Sequence, residues 1–391
     1  MYTRPNFKIE IIEVKMIDIE KLDLTSKKQK NEFVMFPFTL YQDVPQWVPP
    51  FISDVKMMLD PKKHPFYEHS DAEFFTAKKN GKLVARLAVM ENKPFNKVHD
   101  VKKAQFYLFD CIDDQEVANA IFERGFEWVR KRNLNAIVGP KGFSAFDGYG
   151  IQIEGFELRQ MMTMMNYNFP YYRNLVENLG FEKEVDFISC AIDSSNFTLP
   201  EKAQLIADKV RERGKFKVES FATKKELKKR ALAIGEAYNK TFVNNWEYYP
   251  FTEREVKFMA DNLMVVADPR LIKIITYNDE VIGFLLAFPD ISAALQRMKG
   301  RITPWGILDL MREFKKTRIV SLNGAGVLPE YHGRGGNVLM YDEMAKTFKD
   351  YNQYDFGELT QVAETAVQMR KDLISMGGRA SKNHRVYHKY L

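Results

Sequence analysis

Cysteine is scarce in this chain. Only Cys111 and Cys190 occur among 391 residues, which excludes a disulfide framework and a four-thiolate zinc site. The six histidines show no HExxH pattern and no Cys/His spacing suited to zinc, so no metal is expected. Long hydrophobic runs are missing as well. The longest, Val281 to Phe288, falls far short of the roughly 20 residues a membrane helix needs. The opening stretch, MYTRPNFKIEIIEVK, lacks the apolar segment of a signal peptide. These absences lead to the expectation of a soluble, cytoplasmic protein with no membrane partner. Neither sign of charge dominates: 58 basic against 52 acidic residues leave a net charge of +6. That balance suits an anionic ligand and is too weak to argue for nucleic acid.

What the chain does hold is a globular composition, 45% hydrophobic and 28% charged, with 30 Phe and 18 Tyr, which excludes wholesale disorder. Its length suggests two domains at roughly 150 residues each. After a proline-rich segment, Pro37 to Phe51, expected to lie as an extended strap, two β-prone runs flank Asn80-Gly81, a hairpin signal. Then come a strand (Ala104 to Ile112) and a helix (Glu116 to Lys131) with Val117, Ile121, Gly125 and Trp128 on one face. A short strand ending at Pro140, the loop GPKGFSAFDGYG, a Met-rich stretch, a helix ending in Gly180 and the strand DFISCAI complete the first half. A polar stretch from Asp193 to Glu201 reads as a linker. The second half repeats the order: a hairpin turning at Asn278-Asp279, a helical insertion from Ile291 to Lys316, a strand (TRIVSLNGAGV), and a helix from Gly335 to Tyr351 with Val338, Tyr341, Ala345 and Phe348 as its apolar face. The strand DFGELTQV, a helix ending at Gly377-Gly378 and a final strand, NHRVYHKYL, follow. Each half is therefore α/β (α+β) in class, with boundaries at 1–195 and 196–391.

The stretch that carries chemistry is SLNGAGVLPEYHGRGGNVLMYDEM (Ser321 to Met344). A strand runs into a glycine-dense turn from which an amphipathic helix starts. That geometry presents backbone N–H groups and the positive end of a helix dipole to an anion. Gly333, Gly335 and Gly336 let a phosphate approach the main chain, and Arg334 adds charge. No Gly-Lys-Ser/Thr follows, so this is not a P-loop, and the spacing does not fit a dinucleotide fingerprint.

Here the chain resembles the GNAT superfamily of acyl-CoA-dependent N-acyltransferases. That family passes from Val-x-Pro-x-Tyr on a strand into Arg/Gln-x-x-Gly-x-Gly/Ala at a helix start. In this sequence the stretch reads Val327-Leu328-Pro329-Glu330-Tyr331 and then His332-Gly333-Arg334-Gly335-Gly336-Asn337, with His332 and Asn337 departing from the pattern. The resemblance covers nearly the whole chain as two tandem GNAT-like domains, each a mixed, mostly antiparallel twisted sheet flanked by helices. It is similar to a bacterial tandem family of N-acetyltransferases. It implies acetyl-CoA, or another acyl-CoA, as co-substrate: the pyrophosphate would sit on the amides of His332 to Asn337, and the pantetheine arm would run along Gly326, Val327 and Leu328. The first half's strand-to-helix junction, FDCIDDQEVAN, has no glycine and three carboxylates, so only the second half is expected to hold CoA. The family's usual tyrosine acid and its asparagine are replaced by Leu373 and Ala366.

Transfer of an acyl group to an amine needs a base, an oxyanion donor and a proton source for the thiolate. Glu358 is the candidate base, Asn323 on the preceding strand and Gln361 are further polar candidates, and Tyr387 is the candidate acid in place of Leu373. The loop containing Asp147 and Tyr149 is expected to line an acceptor pocket between the halves, with a small-molecule or peptide amine as acceptor. Met161, Met162, Met164 and Met165 are expected in the core or as an adaptable wall, and Cys190 as a buried thiol. Two other readings stay open: a Fem-like aminoacyl-tRNA-dependent transferase, and a GNAT-fold binding protein without catalysis.

Overall fold

The computed structural model describes residues 17–144, 146–162, 165–193, 199–243, 245–246 and 248–391. The polar core of the linker read between Asp193 and Glu201 lies outside them, as does Met164. The strands are β1 (Ile17–Lys21), β2 (Asp71–Lys79), β3 (Lys82–Glu91), β4 (Lys103–Cys111), β5 (Ala136–Gly139), β6 (Ile151–Glu154), β7 (Glu182–Asp193), β8 (Phe216–Glu219), β9 (Ile272–Tyr277), β10 (Glu280–Pro289), β11 (Ile319–Val327), β12 (Phe356–Ala363) and β13 (Arg379–Tyr390). The α-helices are α1 (Lys27–Leu40), α2 (Ile52–Met58), α3 (Lys93–His99), α4 (Gln115–Lys131), α5 (Tyr172–Asn178), α6 (Glu201–Glu212), α7 (Lys224–Lys229), α8 (Ala231–Thr241), α9 (Glu253–Val266), α10 (Ser292–Met298), α11 (Pro304–Lys316), α12 (Gly336–Tyr351) and α13 (Val367–Ser375).

Local signals read from the sequence set most of these elements. Asn80 and Gly81 both take positive φ (52° and 75°), as do Asn278 and Asp279 (50° and 67°), which is what a two-residue turn matching the twist of its strands requires. Helix α4 buries Val117, Ile121, Gly125 and Trp128. The expected strap is partly helical, because α1 runs through Pro37 to Leu40. A proline inside a helix leaves the carbonyl four residues back without its donor. Here that carbonyl, on Phe33, accepts a hydrogen bond from Arg86 Nη1 at 3.0 Å. The apolar face of α12 is also rotated from the one read in the sequence. Leu339, Met340 and Met344 are buried, while Tyr341 and Phe348 border the cavity described below.

The strands form one sheet in the order β1-β2-β3-β4-β5-β13-β7-β12-β11-β10-β9-β8, with β6 pairing beside β13. The two halves mirror each other, and they exchange their last strands. β7, from the first half of the chain, pairs antiparallel with β12; β13, the last strand of the chain, pairs with β5. β7 and β13 then pair with each other at the centre. A large apolar core fills each half, one around Phe284, Phe288 and Met340, the other around Phe106, Phe122 and Phe181.

Candidate active site

In each half, two parallel neighbours pair for only a few residues and then part. β11 and β12 are in register from Ile319↔Phe356 to Leu322↔Leu359 and no further. At that point both strands bulge. Asn323 is the extra residue of β11 opposite β10, between the pairs Leu286↔Gly324 and Ala287↔Leu322. On β12 the register against β7 shifts between Leu359 and Val362, and Gln361 takes a left-handed φ of 54°, a costly conformation for a residue with a side chain. Two pairs of hydrogen bonds hold these bulges. Asn323 Nδ2 donates to Thr360 Oγ1 (2.9 Å) while Ser321 Oγ donates to Asn323 Oδ1 (2.8 Å). Gln361 donates to the Tyr149 carbonyl (2.7 Å) and accepts from the Tyr149 amide (2.9 Å). The loop before β6 is thereby tied to the opening between the strands.

A cavity of about 280 Å³ occupies the opening. It passes through the sheet. Phe284 stacks with Tyr238 and meets Phe242 edge-on, on the side of α8, and its cross-strand partner Ile274 shares that side. The next residue, Ile275, must point to the opposite face, and there it meets Gly336 at the start of α12. The cavity touches Tyr238 and Phe242 on one face and Tyr341, Met344 and Phe348 on the other. Asn323, Thr360 and Gln361 are polar groups at its waist, and the rest of its wall is mostly apolar. Leu373 and Ala366 belong to this wall.

The glycine-dense turn stands at the end of β11. Gly335 caps α12 with φ of 86°, and no acidic residue lies in the helix's first turn, so nothing there opposes an anion. A Cβ on Gly335 would come within 2.8 Å of Val210 Cγ2 on α6, whereas a Cβ on Gly333 would meet nothing within 4 Å. The turn is thus packed on one side and open on the other. Arg334 lies over the Tyr331 ring at 5.2 Å. His332 Nε2 donates to the Val327 carbonyl (2.8 Å), so its ring is engaged in holding the turn. Beyond Leu322, the edge of β11 that faces β12 has no strand partner among the described residues, leaving main-chain groups through Val327 open to an extended ligand. These features fit the pyrophosphate and pantetheine arm of CoA. In the first half the same place is filled: Asp114 caps α4, accepting from the Glu116 and Val117 amides at 3.1 and 3.3 Å.

The structure does not gather the catalytic residues read from the sequence into one site. Asn323 borders the cavity. Glu358 lies one pair below the opening, opposite Ser321, buried and ion-paired with Lys382; Ser381 Oγ also donates to it at 3.1 Å. Its carboxylate joins β12 to β13 and is not part of the cavity wall. Tyr387 is carried away by the strand exchange into the core of the first half. There its hydroxyl donates to Glu177 at 3.0 Å, and burial raises its pKa, which disfavours proton release. Cys190 is a buried free thiol.

A second cavity, of about 450 Å³, lies at the counterpart opening in the first half, where β4 and β5 part after Gln105↔Val138. Its floor is polar. Asp110 accepts from Arg86 Nε (2.6 Å) and Tyr41 Oη (2.9 Å), and the Tyr41 and Tyr172 hydroxyls are 2.9 Å apart. Asp147 also borders it. Loss of solvent around this half-buried carboxyl pushes its pKa up to about 6, against the pull of hydrogen bonds from Ser144 and Phe143. A Cβ on Gly142 would come within 2.2 Å of the Asp147 Cβ, so the glycine there is what lets the aspartate turn inward. Phe146 borders both cavities. Asp147 and Tyr149, expected from the sequence to line one acceptor pocket, face different cavities on either side of Phe146.

The architecture is that of the tandem GNAT N-acetyltransferase fold. A tandem GNAT protein from the clavulanic acid biosynthesis pathway superposes over 96% of this chain and 98% of its own, with a TM-score of 0.55 at 10% identity. No family model matches the sequence. Among curated proteins, the chain is similar to Protein YghO of Escherichia coli (strain K12), 26% identical over 375 residues and 94% of each chain. It is also similar to the bacterial ceramide synthase of Caulobacter vibrioides, 25% identical over 390 residues, covering 96% of this chain and 98% of that one. At 10% identity the likeness to the solved tandem GNAT structure is one of fold.

Proposed function

We propose that the protein transfers a long, apolar acyl group from acyl-CoA to the amine of a long-chain amino alcohol. The observation that carries this reading is the mostly apolar cavity that crosses the sheet at the parted strands. An acetyl group, the simplest expectation from the sequence, would leave most of it unfilled. The relative named as a ceramide synthase agrees in chemistry, since a ceramide is a long-chain acid joined by an amide bond to a long-chain amino alcohol. Leu373 and Ala366 stand where the family resemblance expects polar groups, and as apolar wall they suit the same cargo.

In this reading residues 196–391 hold CoA at the turn from His332 to Asn337, and the acceptor sits in the second cavity, walled mainly by residues 1–195 with a contribution from the segment between Tyr249 and Ile302. Asp147, whose pKa burial raises to about 6, removes a proton from the acceptor ammonium. The neutral nitrogen attacks the thioester carbonyl and forms the C–N bond; the C–S bond breaks, sulfur leaves with its electron pair, and the second proton released by nitrogen neutralises the thiolate. Asn323 Nδ2, at the bulge, donates one of its two protons to Thr360 Oγ1 and in this reading offers the other to the carbonyl oxygen.

The test is amide formation by the purified protein, followed by mass spectrometry, with acyl-CoAs from acetyl to palmitoyl and long-chain amino alcohols. Product is expected with long chains and little with acetyl-CoA. Equal use of acetyl-CoA would overturn the chain-length assignment. A raised melting temperature with acyl-CoA but no product with any amine would point back to a binding protein. With neither a shift nor product, CoA chemistry falls.

A further inference from the structure

Helix α11 and the segment before it expose a run of large apolar side chains. Trp305 is 80% exposed, Met311 57% and Ile302 55%, and Ile307 and Leu308 are also exposed. On a helical wheel Pro304, Trp305, Ile307, Leu308 and Met311 fall on one arc, while Gly306, Leu310 and Glu313 on the other side are buried. The outward face is therefore apolar over its first two turns and basic over its last, where Arg312, Lys315 and Lys316 are exposed. Lys299 and Arg301 add exposed positive charge just before the helix. The two acidic residues of the helix, Asp309 and Glu313, both pair with Arg297 of α10, which offsets one of their two charges and holds both carboxylates toward α10. Apolar side chains with a tryptophan, rimmed by exposed lysine and arginine that outnumber the acids of the helix, are the composition of a helix that lies in the surface of an anionic bilayer.

A second observation concerns position. The α10–α11 pair is bolted to the segment that walls the second cavity. Gln296 Nε2 donates to the Pro45 and Trp47 carbonyls (2.7 and 2.8 Å), and the Ile52 amide donates to the Gly300 carbonyl (3.0 Å). Gly300 approaches so closely that a Cβ would lie 2.2 Å from the Pro50 carbonyl oxygen. Ile302, exposed at the foot of α11, also borders that cavity, as does the exposed Val265. The apolar face and the cavity mouth are thus held rigidly side by side.

We infer that α11 docks the protein on an anionic lipid bilayer, with Trp305, Ile307, Leu308 and Met311 inserted among the headgroups and Arg312, Lys315 and Lys316 against the anionic lipid. No helix of the described residues is long and apolar enough to cross a membrane, so the attachment is to the surface. The second cavity then opens at the bilayer, where an amphiphile enters it without passing through water. The docking does not depend on the acyl-transfer reading.

Flotation of the full-length protein with phosphatidylcholine vesicles, with and without phosphatidylglycerol, tests it in the absence of any acyl donor or acceptor. Binding is expected only with phosphatidylglycerol, weakening as salt rises. Ile307→Glu/Met311→Glu is expected to lower the partition coefficient about tenfold or more, and Lys315→Glu/Lys316→Glu by a similar factor. Tryptophan emission should shift to the blue on vesicle addition, and the shift should be lost in Trp305→Phe. All these positions are exposed, so melting temperatures should stay within a few degrees of wild type. No binding to either vesicle, or equal binding by the apolar double variant, overturns the inference. So does an oligomer that dissociates in Ile307→Glu/Met311→Glu, which would assign the face to a second copy of the chain.

Discussion

Asp147 shows how a loop residue acquires a chemical role through what surrounds it. Its folded-state pKa of about 6 lies above the ordinary 3.8, so the folded protein holds this proton more tightly than the unfolded chain. The stability linked to it is present at low pH and is lost as pH rises through about 6. Asp147→Asn should therefore gain on wild type by about 1–2 kcal/mol more at pH 8 than at pH 4, a figure discounted because the carboxyl borders a cavity; urea unfolding at the two pH values reads it. The same variant should lose amide formation by about 100-fold or more, and wild-type kcat/KM should fall below about pH 6. A variant with full activity would remove Asp147 as the base. Arg86 behaves in the opposite way. It serves the buried Asp110 and the carbonyl orphaned by Pro37, so Arg86→Met should cost about 3–5 kcal/mol by stranding a buried carboxylate, measured by denaturant unfolding.

At the scale of elements, the turn between β11 and α12 works because Gly335 combines a left-handed backbone with a close approach to α6. Gly335→Ala would meet both constraints at once. It should cost about 1–3 kcal/mol and reduce the melting-temperature rise produced by acyl-CoA; an undiminished rise would place the nucleotide elsewhere. On α13, Leu373→Tyr would add bulk and a hydroxyl to the apolar wall. The ratio of kcat/KM for long over short acyl-CoA should fall about tenfold, and an unchanged ratio would mean that the acyl chain does not use this cavity. These elements were legible in advance for local reasons. Asn-Gly and Asn-Asp turns, the stripe on α4 and the glycines at 333, 335 and 336 are each specified within a few residues of chain. The four-residue β6 was not, since it is held by register against β13. The helical course of Pro37 also depends on a donor from a distant strand.

At the scale of the whole molecule, the exchange of β7 and β13 makes one sheet from two copies of one architecture. Each half lends its last strand to the other, so neither holds a complete sheet by itself. Fragments 1–195 and 196–391 are expected to be unfolded or aggregated when made separately, and to regain cooperative unfolding when co-expressed. Circular dichroism and melting curves of the separate fragments would decide it, and two independently folded fragments would refute the interdependence. The exchange is also why Tyr387 and Glu358 could not be placed from the sequence. Tyr387 follows the second half's last helix in the chain, yet packs in the first half's core. Glu358 meets its counter-charge on a strand that the sequence alone does not put beside it.

The sequence by itself determined the alternation of strands and helices, the duplicated order and the one glycine-dense turn fit for a phosphate, because hydrophobic period, turn chemistry and helix starts are written in short stretches of chain. Only the tertiary structure decided which strands become neighbours, where β11 and β12 part, and that Asp147 faces the second cavity while Tyr149 faces the first. Those outcomes depend on pairings between residues far apart in sequence, and a carboxyl's pKa, a cavity or an exposed helix face exists only once the pairings are made.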